Sequence, residues 1–335
     1  MELLARMIET LSVTGNEENL SDLIREEISS HADEIVTDRL GNLIVLKKAT
    51  DGSNAKKLML SAHMDEIGYM VTYIDDKGFV RFAPVGGLRL LHIAGTPVLF
   101  KNGVRGVVMY ESKVELKDLK LTDFFIDIGA STKEEAEAMV SVGDVAGAYG
   151  QLFECGAHRW VAKSMDDKIA CYILVKALQR VSATKYDAYF VFSTQEEVGL
   201  RGATTAAYRI NPDFGIAVDV TGVGDMPNQA NPNDVHLGKG AAIKVRDSSI
   251  VCSRRMIGFL KGVAKEADIP YQMEVLMFGG TDAGAIHTTR EGVVTGGISI
   301  PSRYIHSAVE MVDKRDVEAC ISLIVELLKH DLAEE

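Results

Sequence analysis

The sequence predicts an α/β protein: a sheet covered by helices on both faces, interrupted by a small β-rich domain over residues 67–160. Two observations carry this expectation. Outside 67–160, apolar residues alternate between a helical period and short, continuously apolar runs, the pattern of helices packed on a buried sheet. Inside 67–160, short strand-like runs are separated by hairpin signals such as Asp75-Asp76-Lys77-Gly78 and Lys101-Asn102-Gly103. A length of 335 residues agrees with such a division into about two domains.

The elements follow in order. Leu3, Leu4, Met7, Ile8 and Leu11 recur at helical spacing. A second helix near Glu17 to Ser30 is entered through Thr14-Gly15-Asn16. Leu43 to Lys47 and Lys57 to Ser61 are expected as buried strands, the second running into His63-Met64-Asp65. In the β-rich stretch, strands are expected at Gly68 to Ile74, Gly78 to Phe82, Thr96 to Phe100 and Gly106 to Met109, with a helix at Thr132 to Met139. Alternation then resumes: helix Asp167 to Val181, strand Ala188 to Ser193, helix Gly199 to Tyr208, strand Phe214 to Asp219. Helices Arg255 to Ala267 and Arg315 to Leu328 complete the chain. The β-rich domain is thus expected between the second and third strands of the larger sheet.

Composition bounds the partners. With 36 Lys+Arg against 48 Asp+Glu, the formal charge is −12. An acidic chain lacks the cationic footprint that phosphate backbones require, so no nucleic-acid partner is expected. Cys155, Cys171, Cys252 and Cys320 are widely spaced, as in a reduced cytoplasmic protein. The first ten residues interleave Glu2, Arg6 and Glu9 with apolar positions, giving an amphipathic helix and no signal-peptide core. No apolar run is long enough to span a membrane.

The chemistry lies where acids and histidines fall relative to strand ends, the edge at which open α/β sheets place their ligands. His63-x-Asp65 follows one strand, Glu196-Glu197 another, and Asp219 ends a third. Asp166-Asp167 open a helix, and His306 follows the apolar run Val293 to Ile300. Singly, each has a plain structural explanation: a helix cap for Asp166-Asp167, solvated turns for the others. Together they are a set of acids that a dry site could not hold without counter-cations. His63, Asp166, Glu197, Asp219 and His306 form a mixed N/O donor set suited to zinc or cobalt, with manganese also compatible. One bridging carboxylate with one histidine and one acid per ion describes a two-metal centre. Glu196 is left free as general base, and Asp65 stands ready to orient the His63 imidazole.

The motif series His63-Met64-Asp65, Ser164-Met165-Asp166-Asp167, Thr194-Gln195-Glu196-Glu197-Val198-Gly199, Ala217-Val218-Asp219, Gly279-Gly280-Thr281-Asp282 and Arg303-Tyr304-Ile305-His306-Ser307 resembles that of the glutamyl/deblocking aminopeptidases, co-catalytic metallopeptidases that include the tetrahedral (TET) enzymes. The resemblance runs from about Glu9 to Leu328. It implies a mixed-sheet catalytic domain flanked by helices (1–66 and 161–335) with an inserted, β-barrel-like dimerisation and assembly domain (67–160). It also implies two divalent ions per subunit. One would be held by His63, Asp166 and Asp219, the other by Asp166, Glu197 and His306, with Glu196 as base and a cis bond after Asp166. Peptides with a free N-terminus are the implied substrates, and dimers assembled into a dodecamer the implied state. Lys168 stands where many members carry Arg. Gly279, Gly280, Thr281 and Asp282 are expected to line the substrate pocket, a plain strand-to-helix turn being the alternative.

Other functions remain open on residues alone. A glycosidase of the endoglucanase type needs two carboxylates across a sugar but has no use for His63 and His306. A deacylase or carboxypeptidase could use the same metal pair, and a non-catalytic metal-binding scaffold could dispense with Glu196. Nucleotide-binding loops and G-x-S-x-G or H-E-x-x-H motifs are absent.

Overall fold

The computed structural model describes residues 1–50, 52, 55–228 and 234–332. Its larger sheet has 11 strands and mixed direction. At the centre four strands run parallel in the spatial order Asp187–Ser193, Lys57–His63, Phe214–Gly222, Val294–Arg303. Side-chain alternation along Lys57–His63 shows why this sheet is buried on both faces. Leu58, Leu60 and Ala62 join the main core, while Met59 joins a second core on the opposite face.

Helices Glu2–Glu9, Glu18–Ile28, Met165–Arg180, Arg254–Glu266 and Lys314–Leu327 contribute to the first core, and Arg201–Ile210 and Ala283–Ile286 to the second. Met165–Arg180 is buried on nearly every side, so it shows no solvated stripe and sits at the centre of its layer. No helix among the described residues is long and apolar enough to cross a membrane.

The inserted domain is a closed barrel of strands Gly68–Ile74, Val80–Val85, Phe124–Asp127, Arg105–Tyr110, Pro97–Phe100 and Val145–Ala148, in that spatial order. Its own core includes Tyr69, Phe82, Phe100, Phe124 and Ile126. Both hairpin signals form turns, with Gly78 and Gly103 at positive φ, where glycine carries no steric penalty.

Two features differ from the expectation. Glu34–Thr37 is an edge strand paired with Leu43–Lys47, so the barrel enters after the third strand of the larger sheet and not the second. Edge strands are short and half-solvated and show little apolar alternation. The hairpin Phe153–Cys155 and Arg159–Ala162 pairs with Glu310–Asp313 of the larger sheet, although most of it lies within the 67–160 boundary.

Where barrel and sheet meet, the fully buried Glu66 ties three segments together. Its carboxylate accepts from Ser12 N at 2.9 Å, from Lys163 Nζ at 2.6 Å and from Lys168 Nζ at 2.9 Å, and Lys168 also donates to Thr10 O at 2.7 Å. Burial opposes its charge, but the two ammonium groups hold Glu66 down at about 2. Lys168 therefore has two acceptors, the buried Glu66 carboxylate and the part-buried Thr10 carbonyl. Removing one partner of a buried ion cluster leaves uncompensated charge. Glu66→Gln is expected to lower unfolding free energy by about 3–5 kcal/mol in urea titration.

Candidate metal centre

The central parallel strands deliver the site at their carboxyl ends. His63 is the last residue of its strand and is paired in register with Ser193, after which the chain turns through Thr194 and Gln195 into Glu196-Glu197. Asp219 lies near the end of Phe214–Gly222, and His306 follows Val294–Arg303. The fifth element, Met165–Arg180, opens with Asp166 and Asp167 outside helical geometry, and the bond between them is cis. Ser164, Gln195, Leu200, Tyr304 and His306 all hold positive φ. Non-glycine residues adopt this conformation at an energetic cost, and it clusters at functional sites.

Asp166 stands between the two imidazoles. His63 Nε2 is 3.1 Å from Asp166 Oδ1, and His306 Nε2 is 3.3 Å from Asp166 Oδ2 and 3.3 Å from Glu197 Oε1. His63 Nδ1 lies 3.0 Å from the Asp65 carbonyl oxygen, which can only accept, so Nδ1 carries a proton and Nε2 is the nitrogen that faces the site. The Asp65 carboxylate is 3.4 Å from the same nitrogen. It chiefly takes Glu196 N at 2.9 Å, Glu197 N at 3.2 Å and the Thr14 hydroxyl at 2.8 Å. Asp65 thus orients His63 through its backbone and both glutamates through its side chain.

Three groups of side chains can each place ligand atoms within 4.8 Å of one another: His63, Glu196, Glu197; His63, Asp167, Asp219; and Asp166, Glu197, His306. All five residues expected as ligands occur in them. Asp167, which the sequence offered only as a helix-opening acid, also enters, fully buried and with no hydrogen-bond partner on Oδ1 among the described residues.

The electrostatics are those of crowded acid. Asp65, Asp166, Asp167, Glu196, Glu197, Asp219, Asp282 and Glu310 surround two histidines. Burial, with neighbouring carboxylates, pushes Glu196, Asp167 and Asp219 well above the ordinary range. Burial opposes charge on His306 too, yet Asp166 and Glu197 raise it to about 11. Against the same burial, the two histidines hold Asp166 below its ordinary value. A mixed imidazole and carboxylate donor set, an orphaned buried oxygen and excess negative charge together fit divalent cations.

Two features had no sequence signal. Glu310, fully buried, accepts Asp166 N and His306 N at 2.8 Å each, fixing the backbone of two expected ligands 140 residues apart in the chain (306 − 166 = 140). From the barrel side, the loop at Gly86 and Gly87 presses on the site. A Cβ at Gly86 would lie 3.1 Å from Glu197 Cβ, and one at Gly87 would lie 3.0 Å from the His306 ring. Of the expected pocket loop, Gly279 and Gly280 line the cleft over the site. Thr281 and Asp282 lie behind it, where Asp282 Oδ2 accepts from the Ser61 and Ser193 hydroxyls at 2.6 Å each. Glu310→Ala frees both ligand-bearing segments, and metal affinity measured by equilibrium dialysis is expected to fall about 10- to 100-fold.

Comparison with known proteins places the chain among aminopeptidases. The M42 glutamyl aminopeptidase family matches residues 41–323. The chain is similar to the lysyl aminopeptidase of Pyrococcus furiosus, with 37% identity covering 98% of this chain and 96% of the other. Among solved structures it is similar to an aminopeptidase from the archaeon Desulfurococcus kamchatkensis, with TM-score 0.94, 37% identity and coverage of 98% and 94%. It is also similar to the Pyrococcus horikoshii TET1 peptidase, described as assembling into a tetrahedron or a large octahedral shell, with TM-score 0.87, 30% identity and 98% coverage of both chains. With the fold, the strand-end acids and these matches in agreement, the chain belongs to the M42 glutamyl aminopeptidase family.

Proposed function

We propose that this peptidase removes N-terminal residues from peptides at a pair of divalent cations, zinc or cobalt best suiting the donors and manganese compatible with them. His63, Asp166 and Asp219 would hold one ion and Asp166, Glu197 and His306 the other. The observation that carries this reading is the Asp166 carboxylate, one oxygen toward each imidazole. Asp167, which groups with His63 and Asp219 and whose Oδ1 has no hydrogen-bond partner among the described residues, would be an additional donor of the same chemistry.

Bound divalent ions supply Lewis acidity that polarises a carbonyl and acidifies water. The chain supplies the rest. Glu196 lies 3.9 Å from His63 Nε2, its backbone pinned by Asp65, and lines the cleft beside the ligands. It would take the proton of the attacking water and pass it to the leaving amine nitrogen. The substrate's ammonium group would be received by the acidic wall at Glu197.

The barrel within 67–160 is proposed as the dimerisation and assembly domain, leading to a dodecamer. Support comes from its exposed apolar side chains, among them Leu91 at 71%, Val142 at 67% and Leu116 at 63%, and from the shell-forming TET1 relative. Four cysteines without disulfide bonds support a cytoplasmic setting.

Glu196→Gln is expected to retain its ions by elemental analysis while kcat falls about 10²- to 10⁴-fold; unchanged turnover would remove Glu196 as the base. Chelation is expected to abolish hydrolysis of aminoacyl-arylamides, with zinc or cobalt restoring it. Activity that survives complete metal removal would contradict the metal reading.

A further inference from the structure

The cleft above the site is open to solvent on one side and has a volume of about 420 Å³. Its floor is formed by the expected ligands and Glu196. Beyond that floor, the only charged residue in its described lining is Arg89. Arg89 is exposed and extends from the same barrel-side loop as Gly86 and Gly87. The wall built by the larger domain carries no charge: beside the polar Thr221, Ser302 and Tyr304 it presents a run of apolar residues. Val220 and Val223 continue from Asp219 at the strand end, Met226 follows them, and Leu276 and Phe278 enter from a separate loop. Gly279 and Gly280 complete that loop without adding side chains.

Such a wall is informative where its apolar surface faces solvent beside the proposed reacting centre. Phe278, 50% exposed, supplies the solvent-facing apolar surface, while Val220 and Val223, at 7% and 1%, belong to the packed cores behind it and hold the wall rigid. An apolar pocket with a few convergent polar groups is the ordinary form of a small-ligand subsite. A lysyl or arginyl side chain entering here would find no acid apart from the floor; Asp282 lies outside the lining and is engaged by two serine hydroxyls. A glutamyl side chain would meet the acidic floor and have only Arg89, from the barrel-side loop, as a partner.

Building on the aminopeptidase reading, we infer that this enzyme selects peptides whose N-terminal side chain is large and apolar, the chain beyond Asp219 and the Leu276–Phe278 segment forming its receptor. Discrimination by burial of a few methylenes gives about 10- to 100-fold.

The test is kcat/KM of the metal-loaded protein on leucyl-, methionyl-, phenylalanyl-, glutamyl- and lysyl-arylamides, with calorimetric binding of free leucine, glutamate and lysine alongside. Leucyl or methionyl substrates are expected to exceed glutamyl and lysyl ones at least tenfold, with leucine the tightest of the free amino acids. Phe278→Asp, at a half-exposed position that tolerates charge, is expected to lower leucyl turnover about tenfold and to raise lysyl turnover. Met226→Glu should act in the same direction, so the test does not hang on one variant. A glutamyl preference that Arg89→Ala abolishes would overturn the inference and give selection to Arg89. A lysyl preference would overturn it as well. Failure to cleave any arylamide with both ions bound would remove the aminopeptidase reading, and this inference with it.

Discussion

The structure turns on a conflict between charge and burial. Asp166, Asp167, Asp219, Glu196 and Glu197 converge where solvent screening is poor, and two histidines cannot balance them. Like charges in a dry site raise one another's pKa or require cations. Asp166 shows how the chain is arranged for the second solution. It is held below the ordinary carboxylate range with an imidazole against each oxygen, while its neighbours are pushed up. The cluster therefore holds more acid than its two histidines balance, and the proposed pair of cations on either side of that carboxylate would supply the missing charge.

Holding such a cluster in place requires a stiff frame, and the fold supplies it at several levels. Parallel strands end together, so His63, Asp219 and the Glu196-Glu197 turn arrive at one edge. Asp65 then fixes the imidazole and both glutamates, and Glu310 fixes the backbone of Asp166 and His306. Glu66 with Lys163 and Lys168 anchors the helix that carries Asp166 to the N-terminal segment. The barrel is coupled to the same centre, since Gly86 and Gly87 pack against Glu197 and His306 so closely that an added Cβ would press on both side chains. The proposed assembly domain and the proposed ligands thus share a contact.

Legibility in the sequence followed local pattern. Lys57 to Ser61 and Phe214 to Val218 are apolar runs broken abruptly by His63, Asp65 and Asp219, and that break is visible without a structure. The helix Met165–Arg180 was legible within two residues at its start and one at its end, because buried apolar residues continue to Leu178. The edge strand Glu34–Thr37 and the barrel strands Phe124–Asp127 and Val145–Ala148 are too short for periodicity to register, whereas the equally short Pro97–Phe100 is marked by the Lys101-Asn102-Gly103 turn that follows it. Glu310 was invisible for another reason. Its partners are backbone amides far away in the chain, and no spacing encodes them. Asp167 was read as a helix-opening acid, the usual role of acids there. Thr281 and Asp282 were placed in the pocket wall by continuity with Gly279-Gly280, yet the chain turns inward after Gly280.

The most direct test of the central claim is a crystal structure of the metal-loaded protein with anomalous scattering data. Two peaks are expected, about 3.5–4 Å apart as in other two-metal sites. They should lie on opposite sides of the Asp166 carboxylate, one within bonding distance of His63 and the other of His306. A single peak, or two peaks that do not share Asp166, would contradict the assignment.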